Sequence, residues 1–555
     1  MGEDERMGGS GRSAGEPIAV IGMGVRLPGA HGGQQLWQLL LAGRDAVGEV
    51  PASRFVADTV HAGGRGGFLD DVAGFDADFF GIAADEADAM DPQQRLLLMT
   101  AWEAVEDAGL LPERLAGSRT GVFVALGHSD YWDLYGPDPS TVDLAVLAGS
   151  AQRGMAAGRL SYALDLHGPS LLVDGAQASS GVAVHLAVRS LRCGDSSTAI
   201  VGAANLVLAP AGAIAFGRAG VLAADGRCKF ADASADGFVR SDGVVCVVLK
   251  PLAAALADGD PVRAVLCGTA VAQDGRDKPG MFAPSVRGQV RAMRWAYADA
   301  GLEPSTVDYV EAHGTGTGID AVELAALREV LAPGRAGRPC LVGSLKSNIG
   351  HPEAAAGLAG LAKAVLCLEN GLVPVSLHHT RPRTDVDWTA VPLVVPTTPT
   401  PLPDTGRPAV VAVNGQGMTG TDVHLVLTAA PPTASPRDDG ARRTLLLSAR
   451  SPHGLRALAR SWADFLASDA ARSLTPRDIC HTANHHRIPH AHRAHVVART
   501  HDEFAVRLRD IAAGHTTAPT VPPPPTPEPG ARPVSLPPRP WHTSRHWLDA
   551  APVSR

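Results

Sequence analysis

Two histidines and a lysine stand in short motifs of small residues that follow apolar segments, where reactive side chains are commonly presented. His313 lies in EAHGTGT (residues 311–317), and KSNIGH (residues 346–351) begins with Lys346 and ends with His351. Two imidazole N–H groups directed at one carbonyl oxygen can stabilise an enolate, whose charge develops only as the transition state is reached. The two motifs therefore predict electrostatic catalysis at a carbonyl group, although an isolated loop histidine or a solvated lysine is often merely structural.

Gln177 occupies a third position where chemistry is expected. The sequence SLLVDGAQASSG (residues 170–181) and the apolar periodic segment that continues to about Arg192 predict a buried strand, a sharp turn and a buried helix. The turn places Gln177 at a helix N-terminus, where unpaired N–H groups and the helix dipole suit a nucleophile or an anion. Because an amide cannot form an acyl-enzyme, covalent catalysis at this position is excluded, while orientation and electrostatics remain possible.

The elements that must position these residues alternate between strand and helix. Buried strands are predicted at 16–23, 121–126, 198–203 and 244–249, with a helix at 93–108. The pattern restarts with strands at 262–266, 307–311 and 341–344 and helices at 286–300, 321–331 and 354–369. This repetition predicts two similar layered α/β subdomains packed together.

Size and composition limit the class of protein. The chain has 555 residues, 45% of them hydrophobic, which is enough for several large cores. A net charge of −8 without a long basic run argues against nucleic acid or a membrane as a partner. The seven cysteines are scattered without metal-ligand spacing, which predicts no metal site and a reducing, cytoplasmic location. No apolar stretch is long enough to span a membrane, and no signal peptide is indicated.

The three motifs together resemble the active site of a β-ketoacyl synthase from a modular type I polyketide synthase. In that family a cysteine that takes up the acyl chain stands where this sequence has Gln177. The resemblance covers roughly residues 16–430 and includes DPQQR (91–95), GRLSY (158–162) and DGRCK (225–229). It implies the thiolase fold, an α/β structure of five layers (α-β-α-β-α) with two similar halves, followed by a small α/β linker domain. Members of the family are usually homodimers.

The resemblance also implies roles for individual residues. His313 and His351 correspond to the decarboxylating histidines, and Lys346 to the residue that orients the second of them. Residues expected to bind the pantetheine arm or the substrate are Thr315, Thr317, Asn348 and Gln416. No cofactor is implied beyond the phosphopantetheine arm of an acyl carrier protein.

Gln in place of the cysteine is typical of a loading-module subclass that decarboxylates malonyl-type carrier thioesters to make starter units. The sequence therefore favours a non-condensing decarboxylase acting on malonyl- or 2-substituted malonyl-acyl carrier protein in polyketide biosynthesis. The alternative is a non-catalytic partner subunit resembling a chain-length factor, which also has Gln at this position. Retention of both histidines and Lys346 favours the enzyme, since a scaffold has no physical need for them.

Several positions depart from the family pattern. Gly175, Ala178 and Gly181 leave the turn around Gln177 emptier than usual. In NGQGMTGTD (residues 414–422), Gln416 stands where the family has a gating Phe and Asp422 where it has Asn. The loop after His313 is one residue shorter than in the family. We therefore expect a reshaped pocket and an altered gate.

The predicted organisation along the chain has four parts. A polar, disordered tail (1–15) precedes the ketosynthase-like domain (16–430), whose halves are about 16–260 and 261–430. A linker domain of the type that joins a ketosynthase to an acyltransferase follows at 442–515, and residues 516–555 form a proline-rich linker and a C-terminal strap. Since no acyltransferase or carrier domain is recognisable, we expect the acyltransferase to be supplied separately and the acyl carrier protein to act in trans or downstream. The tail lacks the heptads of a docking helix, which suggests a protein at the start of an assembly line.

Overall fold

The computed structural model describes residues 15–55, 64–135, 142–335, 337–388, 392–432, 439–515, 526–528 and 530–548. Residues 1–14 of the predicted tail (1–15) and residues 516–525, 529 and 549–555 of the predicted linker and strap (516–555) lie outside the described residues. In the described parts, no helix is both long enough and apolar enough to cross a membrane.

The N-terminal half is built on a sheet of near-continuously apolar strands, as burial on both faces requires. Its strands are β1 (Ile18–Leu27), β2 (Thr120–Leu126), β3 (Ser170–Val173), β4 (Thr198–Asn205) and β5 (Gly243–Pro251). They lie side by side in the order β3-β2-β4-β5-β1. Strand β2 is parallel to β3 and β4, whereas β5 is antiparallel to both β4 and β1.

The C-terminal half repeats this topology. Its strands are β6 (Ala264–Gln273), β7 (Tyr309–Glu311), β8 (Cys340–Gly343), β9 (Val410–Gln416) and β10 (Thr421–Ala429), in the order β8-β7-β9-β10-β6. When the five strands are counted along the chain within each half, both halves have the same spatial order: third, second, fourth, fifth, first. Antiparallel pairing of β1 with β6, with Ile18 opposite Leu266, joins the halves into one continuous sheet. The β9–β10 hairpin, which completes the repeat, was not predicted from the sequence.

Helices cover both outer faces and fill the space between the halves. They are α1 (Pro92–Asp107), α2 (Met155–Ala163), α3 (Ser179–Arg192), α4 (Val286–Ala300), α5 (Ile319–Leu331), α6 (Lys346–Ile349) and α7 (Ala356–Asn370). The central core contains α3 and α7. Helices α1 and α2 form the core on the outer face of the N-terminal half, and α4 and α5 form the core on the outer face of the C-terminal half. This arrangement confirms the predicted five-layer thiolase fold.

Small residues let the two central helices approach closely. A Cβ atom at Gly357 of α7 would lie 2.8 Å from the backbone nitrogen of Gly181 in α3. The Ser180 hydroxyl of α3 accepts a hydrogen bond from the N–H of Leu358 at 3.2 Å. The helix that follows the turn around Gln177 is therefore held directly against the helix that follows His351.

A second unit with its own apolar core follows the sheet. It contains strands β11 (Arg443–Ala449) and β12 (His492–Ala498) and helices α8 (Pro452–Leu466), α9 (Pro476–His485) and α10 (His501–Ala512). Helix α9 was not predicted. The C-terminal segment then returns to the ketosynthase-like domain, where Ser544–Arg545 pairs antiparallel with Gly74–Phe75 and the Trp541 indole N–H donates to Glu103 at 2.6 Å. The domain boundaries given above stay predictions.

Candidate active site

The turn that carries His313 is held by two buried carboxylates from the start of α5. Glu323 accepts hydrogen bonds from the backbone N–H groups of His313 (2.8 Å) and Gly314 (2.9 Å). Asp320 accepts from the N–H groups of Thr315 (3.1 Å) and Gly316 (3.2 Å). Four consecutive donors thus converge on two side chains that are 0% exposed. This network fixes the position of the His313 ring.

The glycines of this turn are required by its geometry. Gly314 and Gly316 have φ angles of 46° and 81°, in the left-handed region that glycine enters at least cost. A Cβ atom at Gly316 would lie 2.5 Å from the backbone nitrogen of Lys229. The small residues of the EAHGTGT motif therefore allow the turn to pack tightly against the DGRCK motif.

The two histidine rings are neighbours and share one tautomer. Their centroids are 5.3 Å apart and their planes meet at 81°. The Nδ1 atom of His313 accepts the N–H of Gln416 at 3.3 Å, and that of His351 accepts the N–H of Glu353 at 3.1 Å. Because each Nδ1 is an acceptor, the proton of each neutral ring is on Nε2. Both rings therefore offer an Nε2–H donor.

Burial keeps both rings neutral. His313 is 4% exposed and His351 3%. Desolvation lowers the pKa of each ring well below its usual value, and the nearby Lys346 ammonium lowers both further. Lys346 is itself buried, which lowers its pKa, while the Glu311 and Glu323 carboxylates act in the opposite direction. The Lys346 ammonium thus acts on both rings through its electric field.

Gln177 lies in the sharp turn predicted between β3 and α3. Ala176 has a φ angle of 53°, which is uncommon for a residue with a Cβ atom, and the helix begins at Ser179. The Gln177 side-chain carbonyl accepts the backbone N–H of Met418 at 3.0 Å. Since a backbone N–H can only donate, this contact fixes the orientation of the amide and leaves the NH₂ group of Gln177 as a donor.

The β9–β10 hairpin connects these residues. Its backbone contacts His313 through Gln416 and Gln177 through Met418. A Cβ atom at Gly417 would lie 2.5 Å from the carbonyl oxygen of Gly175, so the hairpin packs directly on the turn around Gln177. The side-chain Nε2 of Gln416 is buried without a partner among the described residues.

The remaining predicted binding residues differ in their surroundings. The Thr315 and Thr317 hydroxyls lie 2.9 Å apart beside His313, and Thr317 is half-buried. Asn348 is 0% exposed and donates through its amide to the carbonyl of Arg44 at 3.0 Å. Thr317 is therefore partly accessible to solvent, whereas the observed contacts of Asn348 are structural. The binding roles of all three, and of Gln416, stay predictions.

Sequence reasoning missed the carboxylates that support the site. Asp320, Glu323 and Glu311 are fully or almost fully buried, and Glu311 forms an ion pair with the 0%-exposed Lys363 at 2.8 Å. Burial raises the pKa of Asp320 to about 7 and also raises that of Glu323. The available signal was the i, i+3 spacing of Asp320 and Glu323 on the face of α5 that also carries Leu324 and Leu327.

No group of three or more metal-binding side chains occurs in the described ranges.

The fold and the paired histidines define an active site of the thiolase-fold type. Residues 15–255 match the N-terminal domain of β-ketoacyl synthases, residues 263–380 their C-terminal domain, and residues 382–497 the ketoacyl-synthetase C-terminal extension. The chain belongs to the β-ketoacyl synthase family.

Curated relatives agree with this membership. The chain is 43% identical over 522 residues to one component of the phenolphthiocerol/phthiocerol polyketide synthase of Mycobacterium bovis, covering 91% of this chain and 28% of that protein. It is 41% identical over 514 residues to a different component of the phenolphthiocerol/phthiocerol polyketide synthase, from Mycobacterium tuberculosis, covering 90% of this chain and 33% of that protein. The chain thus spans about a third or less of these relatives, and what matches is the ketosynthase domain of a modular type I polyketide synthase.

Solved ketosynthase structures superpose over most of the chain. An oxazolomycin ketosynthase domain from Streptomyces albus JA3453 gives a TM-score of 0.90 at 34% identity and covers 97% of this chain and 100% of its own. The ketosynthase from module 6 of the bacillaene synthase of Bacillus subtilis 168 gives 0.83 at 33% identity and covers 90% of this chain and 86% of its own.

Proposed function

We propose that the chain is a non-condensing ketosynthase that decarboxylates malonyl- or 2-substituted malonyl-acyl carrier protein to supply a starter unit for polyketide synthesis. The observation that carries the proposal is the pair of neutral imidazoles, each with an Nε2–H available as a donor, which the β9–β10 hairpin connects to a residue that cannot be acylated. Without a nucleophile at position 177, a ketosynthase loses acyl transfer and condensation but retains the groups that stabilise an enolate.

The proposed reaction breaks one carbon–carbon bond. The electrons of the bond between Cα and the malonyl carboxylate move to the thioester as CO₂ departs, which leaves an enolate oxygen. The Nε2–H groups of His313 and His351 donate to this oxygen, and the buried Lys346 charge stabilises it at longer range. A proton from solvent then adds to Cα, so that malonyl thioester and one proton yield acetyl thioester and CO₂.

Gln177 contributes orientation in this scheme. Its carbonyl is held by the Met418 N–H, so its NH₂ group is available to donate to the malonyl group. A donor at this position can hold the carboxylate in place until the bond breaks, without forming a covalent intermediate. The Thr315 and Thr317 hydroxyls, together with Asn348 and Gln416, are the proposed binding residues for the pantetheine arm and the acyl group.

The proposed partners follow from the same site. The substrate arrives on the phosphopantetheine arm of an acyl carrier protein, which is charged by a separately supplied acyltransferase, in the cytoplasm. A homodimer is favoured by the outer edge of the sheet, where β3 ends the strand order and nearby apolar side chains are exposed. Leu171 is 48% and Tyr162 90% exposed there. An open strand edge flanked by exposed apolar groups is stabilised by pairing with a second copy.

The decisive experiment measures CO₂ release from malonyl-acyl carrier protein. Removing one oxyanion donor costs about 3 kcal/mol of transition-state stabilisation, so His313→Ala and His351→Ala should each slow decarboxylation roughly 100-fold. His167→Ala is the matched control, because the His167 side chain is 64% exposed and its ring bonds Asp165 at the surface. The isolated chain should not load itself from malonyl-CoA, since no acyltransferase is recognised in the sequence.

The alternative, a chain-length-factor-like partner subunit, predicts a different result. Wild type and both histidine variants would then release CO₂ no faster than buffer, and the chain would form a heterodimer with a separate ketosynthase. Equal rates for wild type and His313→Ala would overturn the decarboxylase proposal.

A further inference from the structure

Three histidines lie together at the end of helix α9 in the second unit, outside the candidate active site. The sequence there is HTANHH (residues 481–486), so His481 and His485 are one helical turn apart and His486 follows the last residue of the helix. The ring centres of His485 and His486 lie 5.2 and 5.0 Å from that of His481. All three residues are only partly buried, so solvent reaches the cluster.

The contacts of His486 fix its tautomer. Its Nδ1 lies 2.6 Å from the carbonyl oxygen of Gly109, two residues after the end of α1. Because a carbonyl oxygen can only accept, Nδ1 carries the ring proton and donates, and Nε2 of the neutral ring is an unprotonated lone pair. Metal-binding histidines almost always donate their second ring nitrogen to a carbonyl or carboxylate in this way. His486 is therefore held in the tautomer and orientation of a metal ligand.

The spacing of His481 and His486 fits two ligands of one ion. Their Nε2 atoms are 3.2 Å apart. A straight N–H···N hydrogen bond of this length would place the ring centres about 5.5 Å apart, whereas the observed separation is 5.0 Å, so the contact is bent. If each Nε2 were about 2.05 Å from one Zn²⁺ ion, the angle at the ion would be about 103° and the ring centres about 5.0 Å apart. The pair thus has the geometry of two ligands in a tetrahedral site.

Both rings are neutral at pH 7, as imidazole ligands of a metal must be. Burial lowers the pKa of each ring, and the neighbouring histidines help to lower that of His481 to about 4. The charged side chains that act most strongly on the two rings are evenly divided between cations and carboxylates: Arg477, Arg114, Asp478 and Asp260. No strong positive field therefore opposes the binding of a cation.

We propose that His481 and His486 form a zinc-binding site at the end of α9. Imidazole nitrogen is a preferred ligand of Zn²⁺, whereas Mg²⁺ and Ca²⁺ prefer oxygen. No third metal-binding side chain completes the site among the described residues, so water fills the other positions. When the ion binds, the His481 ring carries its proton on Nδ1, which leaves Nε2 for the metal and releases no proton. The ion also fixes His486 where it contacts Gly109 of the ketosynthase-like domain.

Isothermal titration calorimetry of the full chain with ZnCl₂ tests the site, in a chelator-free buffer and without an affinity tag. One Zn²⁺ per chain should bind saturably at the strongest site, and MgCl₂ should give no saturable signal. His481→Ala and His486→Ala should each weaken the affinity at least about tenfold, because each removes one of the two protein ligands. His492→Ala is the matched control, since His492 is an exposed histidine on β12 of the same unit.

The pattern across the three variants decides the proposal. Weaker zinc binding in both His481→Ala and His486→Ala, with His492→Ala unchanged, supports the site. Absence of saturable binding to wild type, unchanged affinity in either ligand variant, or an equal loss in His492→Ala overturns it. Saturable binding of Mg²⁺ in place of Zn²⁺ overturns the zinc assignment. If the ligand variants do not fold, zinc-soaked wild-type crystals replace them, and an anomalous zinc peak must lie about 2.1 Å from both Nε2 atoms.

Discussion

Replacing Glu323 by Gln tests whether the carboxylate behind the histidine turn positions the reaction. Glu323 accepts three hydrogen bonds, from the backbone N–H groups of His313 and Gly314 and from the side-chain amide of Asn414 at 2.8 Å. Glutamine has the same shape but one acceptor oxygen. The glutamine oxygen can keep the two hydrogen bonds from His313 and Asn414 if the NH₂ group faces the Gly314 N–H. The third hydrogen bond, from Gly314, is then replaced by a contact between two donors.

The expected magnitude follows from that loss. A hydrogen bond to a charged group contributes about 1.5–3 kcal/mol, and a buried donor left unsatisfied has a similar cost, so the free energy of unfolding should fall by about 2–3 kcal/mol. The displaced amide is next to His313, and a shift of a catalytic group by about 1 Å can reduce a rate on the order of 100-fold. We therefore expect Glu323→Gln to lower kcat for decarboxylation by about 10- to 100-fold and to change KM less.

Urea unfolding and CO₂ release, measured on the same preparation, check both parts. Glu329→Gln is the matched control on the same helix, because Glu329 is half exposed and pairs with Arg294 at 3.0 Å on the surface. Such a pair contributes about 0.2–1 kcal/mol, and its loss should leave kcat unchanged. A Glu323→Gln protein that loses stability but keeps wild-type kcat would refute the positioning role. Unchanged stability would refute the energetic reasoning itself.

Two further predictions concern the departures from the family pattern. Gln177→Cys should become alkylated by iodoacetamide, since a thiolate near the start of α3 is stabilised. Wild type has Cys193 as its exposed cysteine, so mass spectrometry should find a label at position 177 of the variant in addition to any label on Cys193. A folded variant that is not labelled at position 177 would contradict the placement of this residue. Burial and the neighbouring Asp274 raise the pKa of Asp422 to about 9, so this carboxyl is protonated in the folded protein at neutral pH. The free energy of unfolding should therefore fall as the pH rises from the pKa of Asp422 in the unfolded chain, near 4, towards 9. Asp422→Asn should remove this contribution, and thermal unfolding curves whose pH dependence is the same in wild type and variant would show that Asp422 is ionised.

Most of the sheet and the helices around the site could be predicted from the sequence. Helix α4 was predicted at 286–300 and is observed at Val286–Ala300, because its apolar residues recur at helical spacing and Ser285 caps it through the N–H of Gly288. Strand β5 was predicted at 244–249 and extends to Gly243–Pro251, since antiparallel pairing on both sides continues beyond the apolar run. The boundaries that differ are those that neighbouring strands decide.

The missed elements have weak local signals. The sequence does not predict the β9–β10 hairpin, because NGQGMTGTD interrupts its two apolar runs. Pairing of Asn414 with His424 and of Gln416 with Asp422 makes it regular. Helix α9 is rich in polar residues and histidine, and it forms because one face, including Ile479 and Cys480, packs into the core of the second unit. Tertiary contacts rather than intrinsic propensity decide such segments.

The sequence by itself determined which groups are available for chemistry. A glutamine at position 177 cannot be acylated in any fold, and imidazoles in EAHGTGT and KSNIGH identify the candidate donors. The tertiary structure alone decided the state of those donors: the N–H groups of Gln416 and Glu353 fill both Nδ1 positions, and burial beside Lys346 keeps the rings neutral. Tautomer and protonation depend on which groups surround each ring. Gln416 is about a hundred residues from His313 in the chain, so neither property of the His313 ring could be predicted from a local motif.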